Sequence, residues 1–192
     1  MNNLYRDTAG RVANLRFAKI LIAAFCLNFI LAVQAQAESS DSLQATKLKI
    51  AFIFKFVEFV DGKWTEAAKD GQINLAIVGN LSEEQKEFIK KFEQQKARNM
   101  PVKIFFNPTN GQLTKSDIVF FYGGKKYSFA EDLVKLSNGV LTVSDIDYFA
   151  NEGGMIEFFN FRGKMRFKIN NKVAVSKGIR FNAKLLELAE VR

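Results

Sequence analysis

Between Leu43 and Val60 the polar positions Gln44, Lys47, Lys55 and Glu58, with Ala51 among them, recur every three or four residues, as one solvent stripe on a helix does. Leu43, Leu48, Ile50, Phe52, Ile53, Phe56, Val57 and Phe59 fill the remaining circumference, so the spacing predicts a helix covered by protein over most of its surface. Strand alternation through Phe52, Phe54 and Phe56 competes, but it puts Glu58 on the apolar face. Ile73 to Val78 is apolar except for Asn74 and stops at Gly79-Asn80, the pattern of a buried strand. Ser82-Glu83-Glu84-Gln85 is a capping box, and it opens a helix through Phe88, Ile89 and Phe92 to about Ala97. Val102 to Phe106, flanked by Pro101 and Pro108, and Asp117 to Tyr122, ending at Gly123-Gly124, read as further strands. Phe129, Leu133, Val134 and Leu136 line a helix that Gly139 stops. Val140-Leu141-Thr142-Val143 is a short buried strand ending at Ser144-Asp145. After Gly153-Gly154, two apolar runs joined by Arg162-Gly163 pair as a hairpin. Asn182 is placed to cap a final helix, Lys184 to Glu190.

Helices alternating with fully apolar strands predict an α/β fold: a mostly parallel central sheet with helices on both faces, to which the hairpin adds antiparallel strands at the C-terminal end. No repeat, low-complexity segment or internal linker interrupts it. The first 37 residues belong to a different class. Arg6, Arg11, Arg16 and Lys19 precede an apolar core from Ile20 to Val33, and Ala35-Gln36-Ala37 is a small-x-small cleavage pattern. The apolar core is shorter than the roughly 20 residues of a spanning helix. The expectation is a secretory signal peptide over 1–37 and a single exported domain over 38–192 that does not itself span the membrane. Cys26 lies within the leader and follows Phe25 rather than a small residue, which argues against lipid anchoring.

Beyond the leader the formal charge is +5, basic but modest. The cations are scattered among acids, as in Glu83-Glu84-Gln85-Lys86-Glu87 and Lys90-Lys91-Phe92-Glu93, without a long basic tract, so no nucleic-acid partner is expected. The same residues contain neither cysteine nor histidine. That removes disulfides, thiol nucleophiles, imidazole bases and the commonest zinc ligands together, and neither a metal nor another cofactor is expected. Stability must come from the core, for which seventeen of the twenty phenylalanines remain.

Three strand ends, Gly79-Asn80, Gly123-Gly124 and Ser144-Asp145, mark a candidate ligand crevice, because open α/β sheets bind ligands beyond the carboxyl ends of their strands. The competing reading is that turns require such residues. Gly153-Gly154 lacks the third glycine, the following Lys-Ser and the helix of a phosphate-binding turn, and reads as a bend or close packing. The acids Asp145, Asp147, Glu152 and Glu157 could form a carboxylate pair, but nothing fixes their separation, and no catalytic residue is named. The hairpin is rich in apolar residues. Ile156, Phe158, Phe161, Met165 and Phe167, with Lys168, either form an exposed partner-binding patch or are covered by helices.

The order LTVSDI, FA-x-x-GGMI, MRFKIN, A-x-x-x-GI and KLLELA between Val140 and Val191 resembles the YfiR family of small exported bacterial regulators. Upstream, a Lys and aromatics leading to a Val-Glu step and a tryptophan resemble the family's opening helix, although Asp61-Gly62-Lys63 intervenes here before Trp64. The resemblance implies a periplasmic protein that binds the periplasmic part of an inner-membrane diguanylate cyclase and represses it without chemistry of its own. It also implies self-association as a dimer. Many relatives read RFEIN after the turn, where this chain has Lys168, a charge reversal that changes which partner surface is complementary. Redox sensing through cysteines does not carry over, because none remains beyond the leader. A second reading is a small-molecule sensor that uses the crevice at Asn80, Gly123 and Ser144 and acts with a membrane receptor or the periplasmic domain of a sensor kinase.

Overall fold

The apolar runs of the sequence become neighbouring strands of one eight-stranded sheet. The computed structural model describes residues 42–62, 64, 71–123 and 129–192, so the proposed leader, Lys63 and Gly124 lie outside the described residues. In chain order the elements are helix α1 (42–57), β1 (Val60–Gly62), β2 (Ile73–Gly79), α2 (Glu83–Lys90), β3 (Lys96–Ala97), β4 (Met100–Phe106), α3 (Asn110–Leu113) and β5 (Ile118–Tyr122). They continue with α4 (Ala130–Lys135), β6 (Leu141–Ser144), β7 (Ile156–Phe161), β8 (Lys164–Ile169), α5 (Asn171–Ser176), β9 (Ile179–Phe181), α6 (Ala183–Leu188) and β10 (Glu190–Val191).

The sheet order is β10-β8-β7-β6-β5-β2-β4-β3, and the run from β4 to β7 is parallel throughout. β7 and β8 form the antiparallel hairpin. A separate two-stranded sheet pairs β1 with β9. Alternate residues of each strand serve two apolar layers. One face carries Ile73, Leu75, Ile77, Phe120, Val143, Ile156 and Phe158 and is covered by Ile50, Ile53 and Phe56 of α1, Ile89 of α2, Ala174 of α5 and Leu185 of α6. The other carries Ala76, Val78, Val119 and Phe121 under Leu113, Phe129, Phe149 and Leu136. The architecture is the mixed α/β one expected, with helices on both faces.

Several boundaries differ from the periodicity. α1 ends at residue 57, and Val60 instead starts the strand that pairs with Phe181. Leu48 of α1, 45% exposed, and Val134 of α4, 85% exposed, face solvent, because a helix packed on a sheet buries only the side chains aimed at it. The second helix stops well before Ala97: a 3₁₀ turn, Lys91–Gln94, follows, and Lys96-Ala97 turns back on Met100-Pro101 through Arg98 and Asn99, both at positive φ. Glu190 leaves the last helix to pair alongside Lys168. The caps at Ser82–Gln85 and Asn182 form as expected.

Glu93 shows how the sheet margin is closed. Its Oε1 accepts the Ile104 amide at 2.7 Å, beyond the short reach of β3, and Lys90 Nζ at 2.9 Å. Burial opposes its charge, but the hydrogen bonds from Lys90 and Ile104 and the charges of Lys90 and Lys103 outweigh it and hold the carboxyl below its ordinary value. A depressed carboxylate stabilises the fold above its unfolded pKa, and that stabilisation is lost as pH falls through the folded pKa. Glu93→Gln is expected to cost about 1 kcal/mol at neutral pH and to flatten the acid limb of stability against pH, measured by urea unfolding.

Candidate functional site

The chain runs from β2 to β4 on one side and then crosses back to β5 on the other, so the strand order reverses at β2. Such a reversal opens a crevice beyond the carboxyl ends of the two strands that diverge, here β2 and β5. The structure brings Gly79, Asn80 and Gly123 to this point, with Ser144 and Asp145 at the end of the adjacent β6. Gly124 lies outside the described residues.

The crevice is occupied by the protein's own side chains. From α1, Lys49 Nζ reaches Asp145 Oδ2 at 2.6 Å and stands 5.3 Å from the centroid of the Tyr122 ring. Gln85, the N3 residue of the α2 capping box, donates through Nε2 to the Tyr122 hydroxyl at 2.7 Å and to Thr46 Oγ1 at 2.8 Å. The Thr46 and Tyr122 hydroxyls are 3.2 Å apart. Asp145 Oδ1 accepts the Gly123 amide at 3.1 Å, and Asn107 Oδ1 accepts the Gly79 amide at 2.9 Å. Ser144 donates to the Phe121 carbonyl at 2.8 Å and accepts the Ile146 amide at 2.9 Å. The glycine at 79 permits close strand approach: a Cβ there would lie 1.7 Å from the Tyr122 carbonyl oxygen. Asn80 and Gly123 remain at the surface.

Sequence reasoning missed Thr46, Lys49, Gln85 and Tyr122 as members of this cluster. The signal for two of them was there, since Thr46 and Lys49 are polar residues three apart on the otherwise apolar side of α1. On the face opposite α1, a second and open cavity of about 590 Å³ lies between Asn74, Lys103, Phe105, Gln112 and Lys115.

The hairpin residues divide between the two faces. Cross-strand partners share a face, so Ile156–Ile169, Phe158–Phe167 and Asn160–Met165 point one way and Glu157–Lys168, Phe159–Arg166 and Phe161–Lys164 the other. Phe158 and Phe167 lie beneath α1, with ring centroids 5.7 and 4.9 Å from Phe56, and Ile156 is fully buried. Met165 is half-buried and Phe161 is 48% exposed at the tip. Lys168 pairs with the buried Glu157 at 2.7 Å, and Glu157 also accepts the Ala150 amide at 3.0 Å.

Of the four acids singled out in the sequence, Asp145 and Glu157 are shielded and each has its own cation, Lys49 and Lys168, while Asp147 and Glu152 are solvated. Among the described residues no three acids, histidines or cysteines are grouped to hold a metal. Gly154 packs directly on Phe149, whose ring a Cβ would meet at 2.0 Å, which is the close-packing role. No helix among the described residues is long and apolar enough to cross a membrane.

Comparison with curated proteins gives no match. The model of the YfiR/HmsC-like family matches residues 46–190, from the Thr46 that caps the crevice to β10. Members of that family are in general periplasmic regulators of membrane diguanylate cyclases, regulatory domains rather than catalytic ones. With the match covering β1 to β9 and both helical layers, the chain belongs to the YfiR/HmsC-like family.

Proposed function

We propose that the chain is exported with residues 1–37 removed, and that residues 38–192 act as one domain that binds the periplasmic sensor part of an inner-membrane diguanylate cyclase and represses it. The family match over 46–190 carries this reading. The geometry supports a role by contact, since the polar side chains at the switch point satisfy one another and the carboxylates of Asp145 and Glu157 are each paired with a lysine. Repression needs only differential affinity: a protein that binds the inactive cyclase more tightly than the active one shifts the population by that difference. The signal that relieves it is not a disulfide formed within this chain, because its one cysteine is Cys26.

A small-molecule reading is less supported. A ligand at Asn80, Gly123 and Ser144 would have to displace the Lys49–Asp145 pair and the Gln85–Tyr122 bond, and both are short and shielded. The test is affinity capture from detergent-solubilised membranes of the native cell, using the exported protein as bait. A diguanylate cyclase retained by the bait and competed off by untagged protein is the expected result. Capture of no membrane protein, together with a thermal shift produced by a small metabolite, would replace this reading with the sensor one.

A further inference from the structure

Between Phe158 and Leu186 there are eight lysines and arginines and no acid. Apolar residues space these cations, so they never form a run, and the hairpin sorts part of the set onto one surface. The sheet face turned away from α1 presents Phe159, Phe161, Lys164 and Arg166, with Arg162 at the turn and Lys168 at the inner end. The guanidinium of Arg162 stands 5.2 Å from the Phe161 ring centroid, and Lys168 Nζ 4.9 Å from that of Phe159. Only Lys168 of this group is neutralised, by Glu157; Arg162, Lys164 and Arg166 make no ion pair among the described residues.

β10 pairs only with Lys168 and Ile169, which leaves the margin of β8 from Lys164 to Phe167 without a strand beside it. Cations on such a margin discourage strand pairing, and that alone would account for Lys164 and Arg166. It does not account for Phe161, which is 48% exposed at the projecting end and flanked by Arg162. An aromatic tip ringed by cations of one sign, with long aliphatic stems, matches an interface whose own charge is uniformly negative and whose interior is apolar. Interfaces between proteins are also enriched in phenylalanine and arginine, so the choice of occupant rests on charge: every exposed ionic group of this face is cationic, which a uniformly anionic bilayer complements over its whole area.

We propose that the outer face of the β7–β8 hairpin adsorbs to an anionic phospholipid surface, with Phe161 entering the interfacial layer and Arg162, Lys164 and Arg166 at the phosphates. Adsorption of this kind would confine a regulator of membrane enzymes to the plane in which its target lies. It does not depend on the identity of that target.

The test uses exported protein whose amino terminus has been read by mass spectrometry, sedimented with vesicles of equal parts phosphatidylglycerol and phosphatidylcholine, or of phosphatidylcholine alone. The protein is expected to pellet with the anionic vesicles only, and less so as salt is raised. Each basic side chain near such a surface strengthens adsorption about fivefold, so K164Q/R166Q should weaken it roughly 25-fold, and the single substitutions about fivefold each. F161S should weaken it about tenfold, in proportion to the half of the ring that is exposed. These positions are exposed, and circular dichroism of the variants should match that of the parent. Equal pelleting with neutral vesicles, no pelleting with anionic ones, or variants that pellet like the parent would each overturn the proposal. So would retention of an acidic protein by this face in the absence of any vesicle adsorption.

Discussion

Gly79→Ala is expected to abolish folding, with no soluble, cooperatively unfolding protein recovered from the periplasm. Gly79 ends β2 at a φ of +137°, which side chains other than glycine rarely adopt, and its missing Cβ would lie 1.7 Å from the Tyr122 carbonyl oxygen and 2.8 Å from the carbonyl carbon. Both are backbone atoms of β5, in register with Gly79 itself. No rotamer change can relieve the overlap, so β2 and β5 must separate at the centre of the sheet. That disrupts the layer in which Ile77 and Phe120 are fully buried. A cost above about 5 kcal/mol approaches the whole stability of an ordinary domain. Gly123→Ala provides the contrast: among the described residues a Cβ there meets only the Asn80 amide nitrogen, at 3.8 Å, leaving the strain of φ +128° as the main cost. That variant should fold with a loss of roughly 1–3 kcal/mol. If Gly79→Ala folded normally, strand approach would not be what this glycine provides, and the crevice reading would regain force.

Lys49→Met should lower stability by about 3 kcal/mol, read as a shift of the urea midpoint at unchanged slope. The side chains of Lys49 and Asp145 are only 15% and 12% exposed, and the pair bridges α1 to the end of β6 at 2.6 Å. Removing the ammonium leaves a carboxylate shielded from water with the Gly123 amide as its remaining partner. Most of the expected loss is the cost of that uncompensated charge rather than the worth of the pair. The double variant K49M/D145N should therefore lose less than the sum of its two single variants, because the amide still accepts from Gly123 and carries no charge. Strict additivity would show that solvent already screens the pair.

How much of this was legible in the sequence varies with the element. The parallel centre was legible because Ile73–Val78, Ile118–Phe121 and Val140–Val143 are apolar on both faces and are ended by glycine or by Ser144-Asp145, a pattern with few alternatives. The three-residue strands β1 and β9 were not, since so short a segment has no period and acquires its conformation from pairing across more than a hundred residues. The Arg98-Asn99 turn was hidden because the helical pattern of the sequence runs up to Ala97, over the strand Lys96-Ala97 that enters the turn. Neither residue is glycine, and the positive φ of both is imposed by the pairing of Lys96-Ala97 with Met100-Pro101. The hairpin's alternation was legible, but its inner face was not, because period two says which residues share a face and not which face α1 covers. Ile156, Phe158 and Phe167 thus lie beneath α1, and Phe161 is left as the large aromatic at the surface. The crevice glycines were visible, while the side chains that occupy the crevice come from α1 and α2, and only folding places Lys49 against Asp145, 96 residues away.

The central claim, repression of a membrane cyclase from the periplasm by binding alone, is tested most directly by cytoplasmic cyclic-di-GMP in three strains: the parent, one lacking this protein, and one lacking both this protein and the cyclase captured with it. Loss of the protein should raise the nucleotide, and loss of the cyclase as well should return it to the parental level or below. An unchanged level in the first deletion, or a rise that persists without the cyclase, would contradict the account.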